Sequence, residues 1–145
     1  MPSRSARTTW TGGLQDGTGT VELASSGIAS YEVSFPRRTA EDAEGVTSPE
    51  ELIAAAHSAC FAMQFSAMLG AAGGSGQSLD VSARVSLGPD PAGGLRITGS
   101  KLTVRGSAEG VSAQKFAEVA EQAKSTCPVS KALAGTTISL EVSAG

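Results

Sequence analysis

Cysteine and histidine are scarce in this 145-residue chain, which holds two cysteines, Cys60 and Cys127, and one histidine, His57. Two cysteines are too few for a disulfide scaffold. In a reducing compartment, a bridge between them would be transient and catalytic rather than structural. A structural zinc site would need a fourth ligand beyond these three, and neither a CxxC nor an HExxH spacing exists. No metal or cofactor is therefore expected. Met1 to Gly12 contains arginines but no apolar stretch, so no secretory signal is visible and the expected location is cytoplasmic. Positive charge is not in excess either. A net charge of −3 argues against nucleic acid or an anionic membrane as the main partner. The chain has no internal repeat and no interdomain linker, and its length suits a single domain over residues 1–145. Hydrophobic content of 40% with 17% charged residues describes a folded, globular protein.

The first third reads as strand and turn. Thr18 to Leu23 and Ile28 to Phe35 are rich in β-formers, with Ser25-Ser26-Gly27 between them. After Pro36, the polar stretch from Arg37 to Thr47 reads as a loop. Ser48 followed by Glu51 is a capping-box pattern, with Pro49 at the first helical position. From Leu52 to Leu79 there is no charged residue, and a helix is expected there that Gly70, Gly73, Gly74 and Gly76 end. A helix apolar on nearly all sides must be buried on nearly all sides, in part by a second subunit. A transmembrane span is the competing reading. It is set aside because the run is alanine-rich and carries His57, Ser58, Gln64 and Ser66.

The last third returns to β structure. Leu79 to Leu87 alternates, Gly88 to Gly94 makes a turn, and Leu95 to Gly106 is the returning strand. Ser112 to Lys124 is amphipathic, with Phe116, Val119, Ala120 and Ala123 on its inner face. Cys127-Pro128 opens a short helix, and Thr136 to Val142 closes the chain as a strand. The expected fold class is α+β, with antiparallel sheets, a long buried central helix and a second amphipathic helix.

The two cysteines differ in setting. Cys60 lies mid-helix among alanines, where a free cysteine often serves as a small core hydrophobe and where burial raises a thiol's pKa. A reactive Cys60 would need a cationic neighbour. Cys127 precedes Pro128 near a helix start, which favours thiolate, so local physics names it the more acidic thiol. His57, three residues before Cys60, invites a Cys–His dyad, although hydrolytic dyads usually draw their two groups from separate elements. The plainer alternative is a helix histidine satisfied by a hydrogen bond. The glycines at 70–76 lack the GK[ST] ending of a phosphate loop and read as a helix stop.

The stretch Thr47-Ser48-Pro49-Glu50-Glu51-Leu52-Ile53-Ala54-Ala55-Ala56-His57-Ser58-Ala59-Cys60-Phe61 resembles the first cysteine motif of the OsmC/Ohr family of thiol peroxidases. Cys127-Pro128-Val129-Ser130 resembles the second, 67 residues further on. Length, the tryptophan-containing start at Trp10 and the order of elements agree over nearly the whole chain. The histidine in AAHSAC and the valine after Cys-Pro are similar to the osmotically inducible protein C branch. The resemblance implies that Cys60 is the peroxidatic thiol and Cys127 the resolving one, reversing the local ranking. It implies Glu50 as a supporting acid and an arginine after the second strand as the cation. Arg37 and Arg38 are both candidates, and the Phe-x-x-Arg spacing from Phe35 favours Arg38.

That mechanism would reduce organic hydroperoxides through a Cys60 sulfenic acid and a Cys60–Cys127 disulfide, reset by an external dithiol of lipoyl or thioredoxin type. Phe61, Met63, Phe65 and Met68 are available to line or support a greasy pocket. Two other functions stay open at this point: a non-catalytic dimer binding a small hydrophobic ligand, and a hydrolase using Cys60 and His57. An intertwined homodimer is expected. Glu50 and Cys60 stand ten residues apart, about 15 Å along one helix and roughly 80° around its axis. No Pro or Gly lies between Glu51 and Leu69 to kink it, so the Glu50 and Arg38 that serve Cys60 are expected from the partner chain.

Overall fold

Short segments rich in threonine and valine open the chain and pair as strands. β1 (Arg7–Thr11), β2 (Thr18–Glu22) and β3 (Ser30–Val33) form an antiparallel sheet in that order. The computed structural model describes all residues, Met1–Gly145. The chain divides into two units, Met1–Leu52 and Ile53–Gly145. In the first, glycine on and beside β2 is required by a close approach. A Cβ on Gly19 would lie 2.8 Å from the Trp10 indole, and one on Gly17 would lie 2.9 Å from it.

The next segment corrects the expected loop from Arg37. Ser34 caps a short helix, α1 (Phe35–Thr39), by accepting the Arg37 N–H at 3.3 Å. Pro36 falls in the first turn, where a missing N–H costs little. Both arginines are thus helical. The chain then returns so that Val33 bridges Thr47 in parallel.

Helix α2 (Pro49–Ala71) starts where the sequence motif places it. Ser48 Oγ accepts the Glu51 N–H at 3.1 Å, but the Glu51 carboxylate takes the Thr47 hydroxyl instead of closing the box on Ser48. The helix ends in a Schellman turn. Gly73 has φ +92°, its N–H meets Gly70 O at 3.1 Å, and the Gly74 N–H meets Leu69 O at 2.8 Å.

The second unit holds β4 (Ser75–Pro89), β5 (Leu95–Glu109) and β6 (Thr137–Ala144), in the order β4-β5-β6. β4 and β5 make an antiparallel hairpin. β6 pairs with β5 in parallel, which corrects the expectation of antiparallel sheets throughout. The reason is the connection: α3 (Ala113–Thr126) and α4 (Pro128–Ala132) carry the chain back across the sheet, as parallel neighbours require. The α+β class holds, with two three-stranded sheets and four helices.

Core positions follow the two periods. β5 turns Ser100, Leu102, Val104 and Ala108 inward, α3 buries Phe116, Val119, Ala120 and Ala123, and α2 buries every fourth residue, His57, Phe61, Phe65 and Leu69. The Phe65 ring lies 4.8 Å from Phe116 and 5.5 Å from Phe61. Burial on nearly all sides of α2 is not what a single chain shows. Ala55, Ala56, Ala59 and Ala67 are exposed, and Met63 is 72% exposed. One stripe packs into the core, and nothing else in the chain covers the alanines. By length and composition α2 also suffices to cross a membrane, with a mean hydropathy of 1.5. Its largest side chains, however, belong to the core. Phe65→Ala, which empties the centre of that cluster, should cost about 3–5 kcal/mol in denaturant unfolding.

Candidate active site

The sequence-derived site residues fall into two pairs, one in each unit. In the second unit, Cys60 on α2 and Cys127 at the start of α4 are free thiols with their sulfurs 2.9 Å apart. Cys127 is fully buried and Cys60 is partly exposed. Pro128 sets this up: it ends α3 and starts α4, so Cys127 caps both helices at the bend.

His57 is not a dyad partner of Cys60. Its Nδ1 lies 2.7 Å from Ser100 Oγ and its Nε2 2.8 Å from Ser130 Oγ, so both ring nitrogens are taken. The plainer reading of a satisfied helix histidine is the observed one. Sequence reasoning gave neither serine a role, although Ser130 closes the second cysteine motif; they lie 43 and 73 residues from His57 along the chain. The inward alternation of β5 was the one available signal for Ser100.

In the first unit, Arg38 and Glu50 form a forked pair. Arg38 Nε lies 3.1 and 3.2 Å from the two Glu50 oxygens, and Nη2 lies 2.8 Å from Oε1. Glu50 is 7% exposed and sits in the first turn of α2, where the helix dipole favours an anion. Nη1 of Arg38 is left without a protein partner. The neighbouring arginine behaves differently. Arg37 reaches Glu44 at 3.0 Å in an exposed pair worth at most about 1 kcal/mol. Of the two candidates, Arg38 is the one joined to Glu50.

Arg38 also borders a cleft of about 230 Å³ walled by Trp10, Leu14, Val33 and Phe35. This corrects the expected greasy pocket. Phe61 and Phe65 are plain core, Met63 points to solvent, and Met68 packs against the core. Trp10 was noticed in the sequence without a role, and nothing in the spacing connects it to Arg38. No three of His, Cys, Asp or Glu converge as metal ligands.

The acidities oppose the roles implied by resemblance. Burial, and then the hydrogen bond with Cys127, push the Cys60 thiol up. Burial pushes Cys127 up as well, but its contact with Cys60 and the N–H and hydroxyl of Ser130 outweigh this, and the net direction is down. Cys127 makes no regular capping hydrogen bond, yet the dipoles at the start of α4 still act on its sulfur. Cys127 is therefore the more acidic of the two thiols, as the local reading of the sequence expects.

The model of the OsmC-like protein family matches residues 41–143. The chain belongs to this family. It is 40% identical to the peroxiredoxin OsmC of Escherichia coli strain K12 over 124 residues, 86% of this chain and 85% of the relative. The fold is similar to an organic hydroperoxide resistance protein of Elizabethkingia anophelis, with TM-score 0.75 and 26% identity over 99% of both chains. It is also similar to the organic hydroperoxide resistance protein OhrB of Bacillus subtilis, with TM-score 0.70 and 26% identity over 96% of this chain and 98% of that one. These relatives support a peroxiredoxin-like enzyme.

Burial lowers the His57 pKa below the ordinary imidazole value of 6.5. The unfolded chain then binds more protons between the two values. The stability from neutral His57 is full above 6.5 and is lost as pH falls through the folded-state value. Denaturant midpoints from about pH 7.5 down to about pH 5 should show wild type losing its advantage over His57→Phe as pH drops.

Proposed function

We propose that this protein, one domain over residues 1–145, is a cytoplasmic thiol peroxidase that reduces organic hydroperoxides through Cys60 and Cys127. The observation that carries the reading is the pair of free thiols, 2.9 Å apart although 67 residues separate them in sequence. The Cys60 thiolate attacks the peroxide, releasing the alcohol and leaving a sulfenic acid. Cys127 condenses with it, water departs, and a disulfide closes. Drawing the sulfurs from 2.9 Å to a bond of about 2.05 Å needs little movement. An external dithiol of lipoyl or thioredoxin type then takes up the bridge and is itself oxidised.

Cys60 must become the better thiolate before it can attack. A guanidinium at about 4 Å in a partly desolvated site contributes about 4 kcal/mol, or roughly three pH units. Such a contact acts against the acidity order of the isolated subunit. Arg38 has a free Nη1 to supply this charge, with Glu50 gripping its other edge. Helix α2 runs unbroken from Pro49, so Glu50 and Cys60 stay about 15 Å apart along one helix. The charge is therefore proposed to come from the partner in a homodimer. The uncovered face of α2, with Met63 and its alanines, supports such a partner. The cleft beside Arg38 then takes the alkyl or aryl tail, at roughly 0.8 kcal/mol per buried methylene, which hydrogen peroxide lacks.

Cys60→Ser should abolish peroxide reduction, while Cys127→Ser should still consume about one equivalent. Hybrid dimers of Cys60→Ser with Arg38→Ala chains should regain activity, because one composite site is intact. The opposite order of the cysteine variants would refute the roles. No recovery in verified hybrids would refute the shared site.

A further inference from the structure

His57 and Ser130 have no part in the steps above, yet they form the polar end of the core directly behind Cys127. The imidazole is fully buried, and Ser130 and Ser100 are 5% and 2% exposed. Every buried side-chain nitrogen and oxygen has a partner, so this network is complete. Its members come from three elements. His57 is the first of the α2 core stripe, Ser100 belongs to the inward row of β5, and Ser130 lies in α4.

A neutral imidazole has one N–H, and a hydroxyl has one proton. Two arrangements satisfy the distances of 2.7 Å to Ser100 and 2.8 Å to Ser130. In one, Ser130 donates to the ring and turns lone pairs toward its other neighbours. In the other, Ser100 donates to Nδ1, Nε2–H donates to Ser130, and the Ser130 proton is free for a further acceptor. Ser130 stands three residues after Cys127, on the same side of that first turn. Only the second arrangement leaves the Ser130 proton free for the sulfur of Cys127.

We propose that His57 fixes the Ser130 hydroxyl as a hydrogen-bond donor to Cys127, making the two residues positioning groups for the disulfide step. This rests on the reading of Cys127 as the resolving thiol. In that step the Cys127 thiolate gives its electron pair to the Cys60 sulfur and the S–O bond of the sulfenic acid breaks. The hydroxide takes up the proton that Cys127 gave up, so one disulfide and one water form. The same contact serves the reverse cleavage. An external thiolate attacks the more exposed Cys60 sulfur, and Cys127 leaves as a thiolate that the Ser130 hydroxyl would solvate.

The titratable neighbours of Cys127 are Cys60 on α2 and His57 behind Ser130. On the flanking helices, Lys124 of α3 is held by Glu121 at 3.1 Å and Lys131 of α4 is exposed. On the sheet, Lys101 of β5 and Glu141 of β6 pair with each other at 2.8 Å.

The test uses the full chain with Cys60→Ser, so that a single thiol titrates, followed by the ultraviolet absorbance of the Cys127 thiolate against pH. Adding Ser130→Ala or His57→Phe should raise the midpoint by about one pH unit, while Ser130→Thr keeps it. With Cys60 intact, a single turnover with an alkyl hydroperoxide should show sulfenic acid forming at the parent rate. Disulfide closure should be about tenfold slower in Ser130→Ala. An unmoved midpoint in both folded variants overturns the proposal, and a shift in Ser130→Ala alone removes His57 from it. Should Ser130→Ala fail to fold, His57→Phe decides on the titration by itself. Absence of any sulfenic acid in the parent would sink the peroxidase reading instead, and the titration would still decide on Ser130.

Discussion

One imidazole ties three distant parts of the chain together at the point where the thiols meet. Through hydrogen bonds of 2.7 and 2.8 Å, His57 joins α2 to β5 and to α4. Leaving either partner out would strand a buried polar nitrogen, at a cost of about 1–3 kcal/mol. The start of α4 is therefore held against α2, and with it the Cys127 sulfur against Cys60. The apolar part of the same stripe, Phe61, Phe65 and Leu69, anchors α2 in the core and makes the polar end rigid. Core packing and the thiol pair are consequences of one row of side chains spaced by four.

In the subunit by itself, Cys127 is the more acidic thiol, the reverse of what the proposed mechanism asks of its first step. Burial and the hydrogen bond with Cys127 push the Cys60 thiol up, while contacts with Cys60 and Ser130 bring Cys127 down. In the proposed mechanism this is an advantage for the second half of the cycle, where Cys127 attacks or leaves. The first half needs an added charge, which the proposal assigns to Arg38, gripped by Glu50. The proposed dimer would thus divide the labour. Each chain would build the resolving side of its own site and lend the cation to its partner.

Much of this was legible in the sequence because the periods were clean. Phe116, Val119, Ala120 and Ala123 are the four residues α3 buries, and Ser48 and Gly73 mark the ends of α2. β1 was missed because Arg7–Thr11 is exposed along its whole length and shows no alternation. α1 was missed because Pro36 reads as a breaker unless Ser34 is recognised as its cap. The parallel pairing of β6 depends on a crossover through two helices, which local pattern cannot register. Among the site residues, the cysteines, Arg38 and Glu50 stood out by motif. Ser100 and Ser130 are common residues whose significance comes only from contact with His57 across the fold.

The central claim is that two thiols of one chain are consumed together by one peroxide. A thiol count before and after one equivalent of an organic hydroperoxide, under denaturing conditions, tests it most directly. Loss of two thiols per chain, restored by a dithiol, is the predicted result. Two thiols left untouched would contradict the account and return the apolar cleft to the role of a simple ligand site.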